Sequence, residues 1–107
     1  MRWVALFEDK KEGAADIRAR FTEAHQAYLR ANSDKIVLAG AMRPQPDGVP
    51  VGGLWVFEAE TKEEVEAIIR QDPFQREGLR SVTRIYAWGT APGFEARAEA
   101  FSALAAR

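Results

Sequence analysis

The alternation of four short apolar runs with two helical stripes constrains the fold of this chain more than any other feature of its sequence. The runs are rich in strand-forming residues and are bounded by charged or turn-forming ones. They cover Trp3–Phe7, Lys35–Met42, Val51–Ala59 and Leu79–Trp88. Between the first two, apolar residues recur at spacings of four, three and four, which predicts an α-helix over Ala14–Ala31. These residues are Ile17, Phe21, Ala24 and Tyr28.

A second helix is predicted to begin at a capping box. In this motif the side chain of Thr61 accepts an amide hydrogen bond while Glu64 reaches back to the helix start. The apolar stripe that follows consists of Val65, Ile68 and Ile69. Asp72-Pro73 ends the helix, because the residue before a proline is pushed out of the helical conformation. Residues 72–78 are then expected to form a short connection or a single turn.

The resulting order of elements, βαββαβ, predicts a ferredoxin-like α+β sandwich. An alanine-rich segment near the end of the sequence carries apolar residues at helical spacing, which predicts an additional C-terminal helix over 92–106. A chain of 107 residues is expected to fold as one domain, here 1–107, with its core over about 2–89.

Both faces of the predicted strands are apolar. In the first strand, Trp3, Ala5 and Phe7 alternate with Val4 and Leu6. An antiparallel sheet covered by helices on one face and by water on the other would show polar residues at every second position. The second face is therefore expected to meet another subunit or the C-terminal helix. We favour a homodimer joined sheet to sheet, as in dimeric α+β barrels, over strands that merely occupy the middle of the sheet.

Composition argues against several classes of function. The chain has no cysteine and one histidine, which excludes thiolate catalysis and argues against a transition-metal site. Fifteen Lys and Arg against sixteen Asp and Glu give a net charge of −1, which argues against a nucleic-acid partner. No glycine-rich phosphate loop is present, and no cofactor is expected. The apolar start is too short for a signal peptide and no segment is long enough to span a bilayer, so we expect no membrane partner and a cytoplasmic location.

The single histidine and one aspartate are the candidate catalytic residues. His25 flanks the apolar stripe of the first helix, and imidazole exchanges protons near neutral pH. Asp72 follows the second helix. The two helices of a βαββαβ sandwich run in roughly the same direction, so both residues are expected at the same end of the fold, where a carboxylate would fix the imidazole tautomer. The alternatives are a helix histidine without a task and an aspartate that only starts a turn.

Several short motifs resemble the YCII-related (YciI-like) family in order and spacing. They are His25-Gln26-Ala27-Tyr28-Leu29, Gly40-Ala41-Met42, Gly52-Gly53, Asp72-Pro73-Phe74 followed by Gly78-Leu79, and the closing strand Val82–Trp88. The resemblance covers about residues 2–89. It implies a ferredoxin-like fold, usually dimeric, with a catalytic pair beside a pocket, and His25 and Asp72 match that pair.

Two departures from the family pattern concern the substrate. Thr22 stands where the family often has an arginine three residues before its histidine, so an anion contact from that position is lost. The turn after the first helix is Asn32-Ser33-Asp34 rather than the frequent glycine.

The sequence therefore predicts a cofactor-independent enzyme that uses His25, oriented by Asp72, as general base or acid on a small organic acid or aromatic metabolite. With no evident nucleophile, a lyase, an isomerase or a water-activating hydrolase is expected. The pocket is expected at the helix ends, with substrate-binding residues Gly40, Arg43, Gly53 and Phe74. The alternatives are a non-catalytic dimeric module that binds a small molecule or serves a partner enzyme, and a cofactor-free oxygenase of the dimeric α+β barrel type.

Aromatic and glycine residues of the strands have structural interpretations. Trp3, Trp55 and Trp88 are expected in the core or at an interface, because such side chains bury large areas. Gly52 and Gly53 are expected to mark either a bulge or a close approach of the backbone to a ligand.

Overall fold

A four-stranded antiparallel sheet is the framework of the protein, described for residues 1–106 in a computed structural model. Its strands, in the order β2-β3-β1-β4, are β1 (Arg2–Asp9), β2 (Ile36–Met42), β3 (Gly52–Glu58) and β4 (Arg80–Ala87). The helices are α1 (Ala14–Ala31), α2 (Lys62–Arg70), the single-turn α3 (Pro73–Arg76) and α4 (Glu95–Ser102), with a 3-10 turn over Ala103–Ala106. The predicted ferredoxin-like sandwich with an additional C-terminal helix is confirmed.

The strand β1 is longer than predicted, because charged residues at both of its ends remain in the ladder. Arg2 pairs with Glu58 of β3, and Asp9 pairs with Arg80 of β4. Backbone amide and carbonyl groups gain the same hydrogen bonds whatever side chain they carry. The predicted strand, Trp3–Phe7, was therefore too short at each end, because it was defined by apolar side chains alone.

The predicted cap of α2 is present with one difference. The hydroxyl of Thr61 accepts a hydrogen bond from the Glu64 amide at 3.2 Å. The carboxylate of Glu64 accepts from the Glu60 amide, also at 3.2 Å, one residue before the position that the motif usually serves. Two of the amides at this helix start are thereby satisfied.

The main core lies between one face of the sheet and the helices α1 and α2. The buried apolar side chains of this cluster are Ala5, Phe7, Ile36, Trp55, Phe57, Ala59, Val65 and Ile69. The Tyr28 hydroxyl of α1 donates a hydrogen bond of 2.6 Å to the Ile68 carbonyl of α2, which ties the two helices together. Burial raises the pKa of Tyr28, and the nearby charge of Asp72 raises it further.

The three tryptophans differ in environment. Trp55 is buried in the core and Trp3 packs against it partly buried. Trp88 is 52% exposed, with the guanidinium of Arg2 over its ring at 4.8 Å. The prediction of a core position is therefore wrong for Trp88, because this residue lies beyond the end of β4. Its place at an interface stays a prediction.

The opposite face of the sheet keeps large apolar side chains in contact with solvent. Leu38 and Tyr86 are 60% and 50% exposed, and Met42 is also exposed. Leu38 and Met42 pair with β3 directly, and Tyr86 is aligned with β3 through β1. The positions of β3 that they align with are an even number of residues apart, so the three side chains lie on the same face of the sheet. The C-terminal segment, in which Ala105 is buried, leaves them uncovered.

Within the described residues, none of the helices combines the length and the apolar character that crossing a membrane requires. The cytoplasmic location stays a prediction.

Gly52 lies where β3 approaches β1 too closely for any side chain. A Cβ atom at this position would stand 2.1 Å from the carbonyl oxygen of Phe7. The pairing of β3 with β1 runs from Glu58 to Gly52 without a shift, so the predicted bulge is wrong and the close approach is to a neighbouring strand.

We expect Gly52→Ala to lower the free energy of unfolding by about 1–3 kcal/mol, because the added methyl group must push β3 away from β1. Gly40→Ala is the matched control, since a Cβ at that position of β2 meets nothing within 4 Å. The control is expected to be neutral or stabilising by up to about 1 kcal/mol. Urea unfolding followed by tryptophan fluorescence measures both, and equal effects would contradict the close approach.

Candidate functional site

A pocket of about 540 Å³ opens between α1 and the part of the sheet formed by β2 and β3. This volume lies in the range of small-molecule sites. Five small residues of the strands leave the space unfilled: Ala39, Gly40, Ala41, Gly52 and Gly53. The pocket extends beyond the helix ends, where it was expected, because α1 lines it from Ala15 to Leu29.

His25 projects from the second half of α1 into the wall of this pocket, with its side chain 12% exposed. Its ring stacks on Phe74 at a centroid distance of 4.0 Å and an angle of 19°. Trp55 lies 5.9 Å away on the core side. The Nδ1 atom is 2.6 Å from Oδ1 of Asp72. Two aromatic rings and one carboxylate therefore hold the imidazole, and the structure brings the predicted pair into direct contact.

Asp72 is fully buried behind His25 and is not itself part of the pocket wall. It precedes the first residue of α3, a position where an aspartate usually accepts a hydrogen bond from a helix amide. Its side chain makes no such bond here. Both carboxylate oxygens are thus left for partners outside the helix.

Arg80, at the start of β4, is the second partner of that carboxylate and was not identified from the sequence. Its Nη1 lies 2.6 Å from Oδ2 of Asp72 and 3.2 Å from Oε1 of Gln75. Its guanidinium lies 3.9 Å over the Phe7 ring, and its side chain is 4% exposed. Burial lowers the pKa of Arg80, and the charge of Asp72 opposes this; the guanidinium stays protonated.

A turn at Gly78 places Arg80 beside Asp72. Gly78 has φ +76°, a conformation that residues with a side chain rarely adopt. The amide of Leu79 then donates to the Phe74 carbonyl at 3.0 Å, which closes the turn against α3. No sequence spacing marks this contact, because an arginine at a strand start usually faces solvent.

A second, partly buried pair, also missed from the sequence, lines the other end of the pocket. Arg18 of α1 donates from Nε and Nη2 to the two carboxylate oxygens of Asp9, at 2.8 and 3.0 Å. It also donates to the Gly52 carbonyl at 3.2 Å. The hydroxyl of Thr22 donates back to the Arg18 carbonyl. Position 22 lacks the arginine often found in the family, but Arg18 lies one helical turn earlier. Its spacing of seven residues from His25 places both on one face of α1, and this was the signal available in the sequence.

The structure places the remaining predicted residues in the same pocket. Gly40, Arg43, Gly53 and Phe74 all line it. Arg43 is exposed after β2, and no ion pair involves it within residues 1–106. Gly53 lies in a regular stretch of β3. Contact of these residues with a ligand stays a prediction.

The described part of the chain contains no group of three or more His, Cys, Asp or Glu side chains arranged to hold a metal ion. What the arrangement offers is an imidazole whose Nδ1 faces a carboxylate and whose Nε2 is left for a molecule in the pocket. Such a nitrogen can take a proton from a bound molecule or give one to it.

The family model of the YCII-related domain matches residues 1–89 of the chain. Among solved structures, the chain is similar to 5-chloro-2-hydroxyhydroquinone dehydrochlorinase from Burkholderia phenoliruptrix in complex with 2,5-dihydroxybenzoquinone. The TM-score is 0.76 and the identity 26%, over 85% of this chain and 96% of that one. None of the curated proteins is significantly similar in sequence.

Two more distant similarities concern the fold alone. An antibiotic biosynthesis monooxygenase has a TM-score of 0.50 at 11% identity, over 85% of this chain and 98% of that one. A NIPSNAP family protein from Agrobacterium tumefaciens has a TM-score of 0.52 at 7% identity, over 86% and 93%. Both agree with the predicted fold class, the ferredoxin-like sandwich of the dimeric α+β barrel type.

We expect Asp72→Asn to lower the free energy of unfolding by about 3 kcal/mol or more, because it leaves the buried Arg80 without a counter-charge. Asp16→Asn is the control, since the Asp16–Arg20 pair of α1, at 3.7 Å, is about two-thirds exposed on both sides. Its loss is expected to cost less than about 1 kcal/mol. Urea unfolding compares the two variants, and similar destabilisation would contradict the structural weight given to Asp72.

Proposed function

The chain belongs to the YCII-related domain family, and from this premise we propose that it is a cofactor-independent enzyme using His25, oriented by Asp72, as general base or acid. The observation that carries the proposal is the 2.6 Å contact between His25 Nδ1 and the buried Asp72 carboxylate, in the wall of a pocket of small-molecule size. Buried carboxylate–imidazole pairs of this kind orient the ring and stabilise its protonated form during proton transfer.

The pair favours proton abstraction over nucleophilic catalysis. The hydroxyls of Thr22 and Tyr28, on the same helix as His25, are occupied, since Thr22 donates to the Arg18 carbonyl and Tyr28 to the Ile68 carbonyl. A base at Nε2 can remove a proton from a substrate hydroxyl or from carbon, and the electron pair released can then expel a leaving group elsewhere on the same molecule. A lyase or isomerase reaction therefore fits the site better than acyl transfer.

A hydroxylated aromatic or quinone-type ring is the substrate class that we favour. The wall around His25 is built from flat rings, with Phe74 stacked on the imidazole and Trp55 beside it. The similar dehydrochlorinase, at 26% identity, was crystallised with a dihydroxybenzoquinone. The positive charge of Arg43 at the exposed side of the pocket suits a substrate that carries an ionised oxygen.

We expect His25→Ala to lower kcat/KM by about 10²–10⁴-fold, the usual contribution of a general acid or base. The assay incubates the purified chain with a panel of halogenated and halogen-free hydroxyhydroquinones and small hydroxy acids, and follows absorbance, halide release and product mass. Glu23→Ala, an exposed position on the same helix, is the control and is expected to retain full activity.

Two results of that assay would contradict the proposal. Equal turnover by wild type and His25→Ala would remove the histidine from the reaction. Saturable binding of a panel compound by the wild type, retained in His25→Ala and followed by no product in either, would favour the non-catalytic binding module instead.

We also propose a homodimer formed through the exposed face of the sheet. Support comes from Leu38, Met42 and Tyr86, large apolar side chains on one face that the C-terminal segment does not cover. Exposed apolar surface of this kind is characteristic of association sites. The exposed Glu8–Arg84 pair lies on the same face and can exchange partners with a second copy related by a two-fold axis.

We expect Leu38→Glu to convert the dimer to a monomer, because each subunit would place a carboxylate in the apolar contact. Val49→Glu is the control, since Val49 is exposed but lies in the loop between β2 and β3. Sedimentation equilibrium measures the mass. A monomeric wild type, or a Leu38→Glu variant that stays dimeric, would contradict this interface.

A further inference from the structure

Arg80 is a buried cation in the site to which the proposed reaction gives no task. Arg80 lines the pocket, but its side chain is only 4% exposed and therefore offers little surface to a ligand. Its strongest contact is instead the 2.6 Å pair with Asp72, whose other oxygen contacts His25 at the same distance. The three side chains thus form one row, Arg80–Asp72–His25, in which Arg80 and His25 both line the pocket and Asp72 lies buried between them.

Arg80 is held from the side as well as by its contact with Asp72. The Arg80 guanidinium is stacked over Phe7, and it also donates a hydrogen bond to the Gln75 side chain at 3.2 Å. These two contacts restrict its rotation. The ring centroid of Trp55, a core residue, lies 5.1 Å from the Cζ atom of Arg80. A planar guanidinium fixed in this way can hold one carboxylate oxygen in a single place.

We propose that Arg80 is a positioning residue, which acts through Asp72 to hold His25 with its proton on Nδ1 and with Nε2 bare toward the pocket. This inference rests on the proposed role of His25. The guanidinium occupies Oδ2 of Asp72, so only Oδ1 is left to accept the hydrogen of Nδ1. Its positive charge also offsets the negative charge of Asp72, which otherwise would favour the doubly protonated ring.

The same geometry distinguishes Arg80 from Arg18, the partly buried cation at the other end of the pocket. Arg18 is paired with Asp9 through two hydrogen bonds and makes no contact with Asp72. The charged or titratable groups around the imidazole are Asp9, Arg18, Tyr28, Arg43, Asp72 and Arg80. Only Arg80 among them shares the carboxylate with His25.

Nuclear magnetic resonance of the imidazole tests the proposal directly, because the chain contains one histidine and its ring nitrogens give the only such signals. In the wild type, the ¹⁵N shifts of the neutral ring are expected to show hydrogen on Nδ1 and none on Nε2. In Arg80→Gln the ring is expected to stay doubly protonated to higher pH, with the titration midpoint raised by about one unit or more. Arg18→Gln is the matched control, with a displacement under about half a unit expected.

A second variant keeps the test decisive if Arg80→Gln does not fold. Arg80→Lys retains the charge but replaces the planar guanidinium by a flexible point charge, so a smaller displacement in the same direction is expected. Unchanged midpoints and tautomer in the folded variants would overturn the proposal, and so would an equal displacement in Arg18→Gln.

Failure of the role proposed for Arg80 can be distinguished from failure of the proposed enzymatic function. The spectra require no substrate, so a displaced midpoint in a protein without detectable turnover would leave the role of Arg80 standing and the enzymatic role of His25 unsupported. If the enzyme is active, the acid limb of its kcat/KM–pH profile is expected to move with the titration midpoint of His25. At a pH below the midpoint, each unit by which the midpoint rises lowers kcat/KM about tenfold. An active enzyme with an unmoved limb would overturn the role of Arg80 alone.

Discussion

The buried carboxylate of Asp72 is the constraint on which the rest of the site depends. It is the one charged residue found fully buried within the described chain, and it lies between a cation and a titratable ring. Burying a charge is costly unless it is paired and hydrogen-bonded. Arg80 and His25 meet that requirement from two sides, which makes the three residues a structural unit before any chemistry is considered.

The fold supplies this unit with partners from distant parts of the sequence. α1 carries His25, the turn after α2 carries Asp72, and β4 begins at Arg80. The absence of a helix-capping bond at Asp72 frees its oxygens for those partners. Small residues in β2 and β3 then leave open space beside the imidazole, so that the unit borders a pocket instead of being enclosed in the core.

Local signals made much of this predictable from the sequence. The period of α1, the cap at Thr61 and the proline after Asp72 each report the conformation of neighbouring residues, and topology then placed His25 near Asp72. The arginine contacts were not predictable in the same way. Arg80 meets Asp72 only because the chain reverses at Gly78, and Arg18 meets Asp9 only because α1 packs across the end of β1. The spacing of seven places Arg18 on the same face of α1 as His25, but it does not identify Asp9 as its partner. Which charged side chain becomes buried is decided by packing.

The central claim, that Nε2 of His25 acts on a molecule bound between α1 and the sheet, is tested most directly by a crystal structure of the wild-type chain with a hydroxylated quinone bound. The account predicts that the ring of the ligand lies beside Phe74, with an ionisable oxygen within about 3.2 Å of Nε2 while Nδ1 remains on Asp72. A ligand bound elsewhere, or bound in this pocket with Nε2 contacting only protein or solvent, would contradict it.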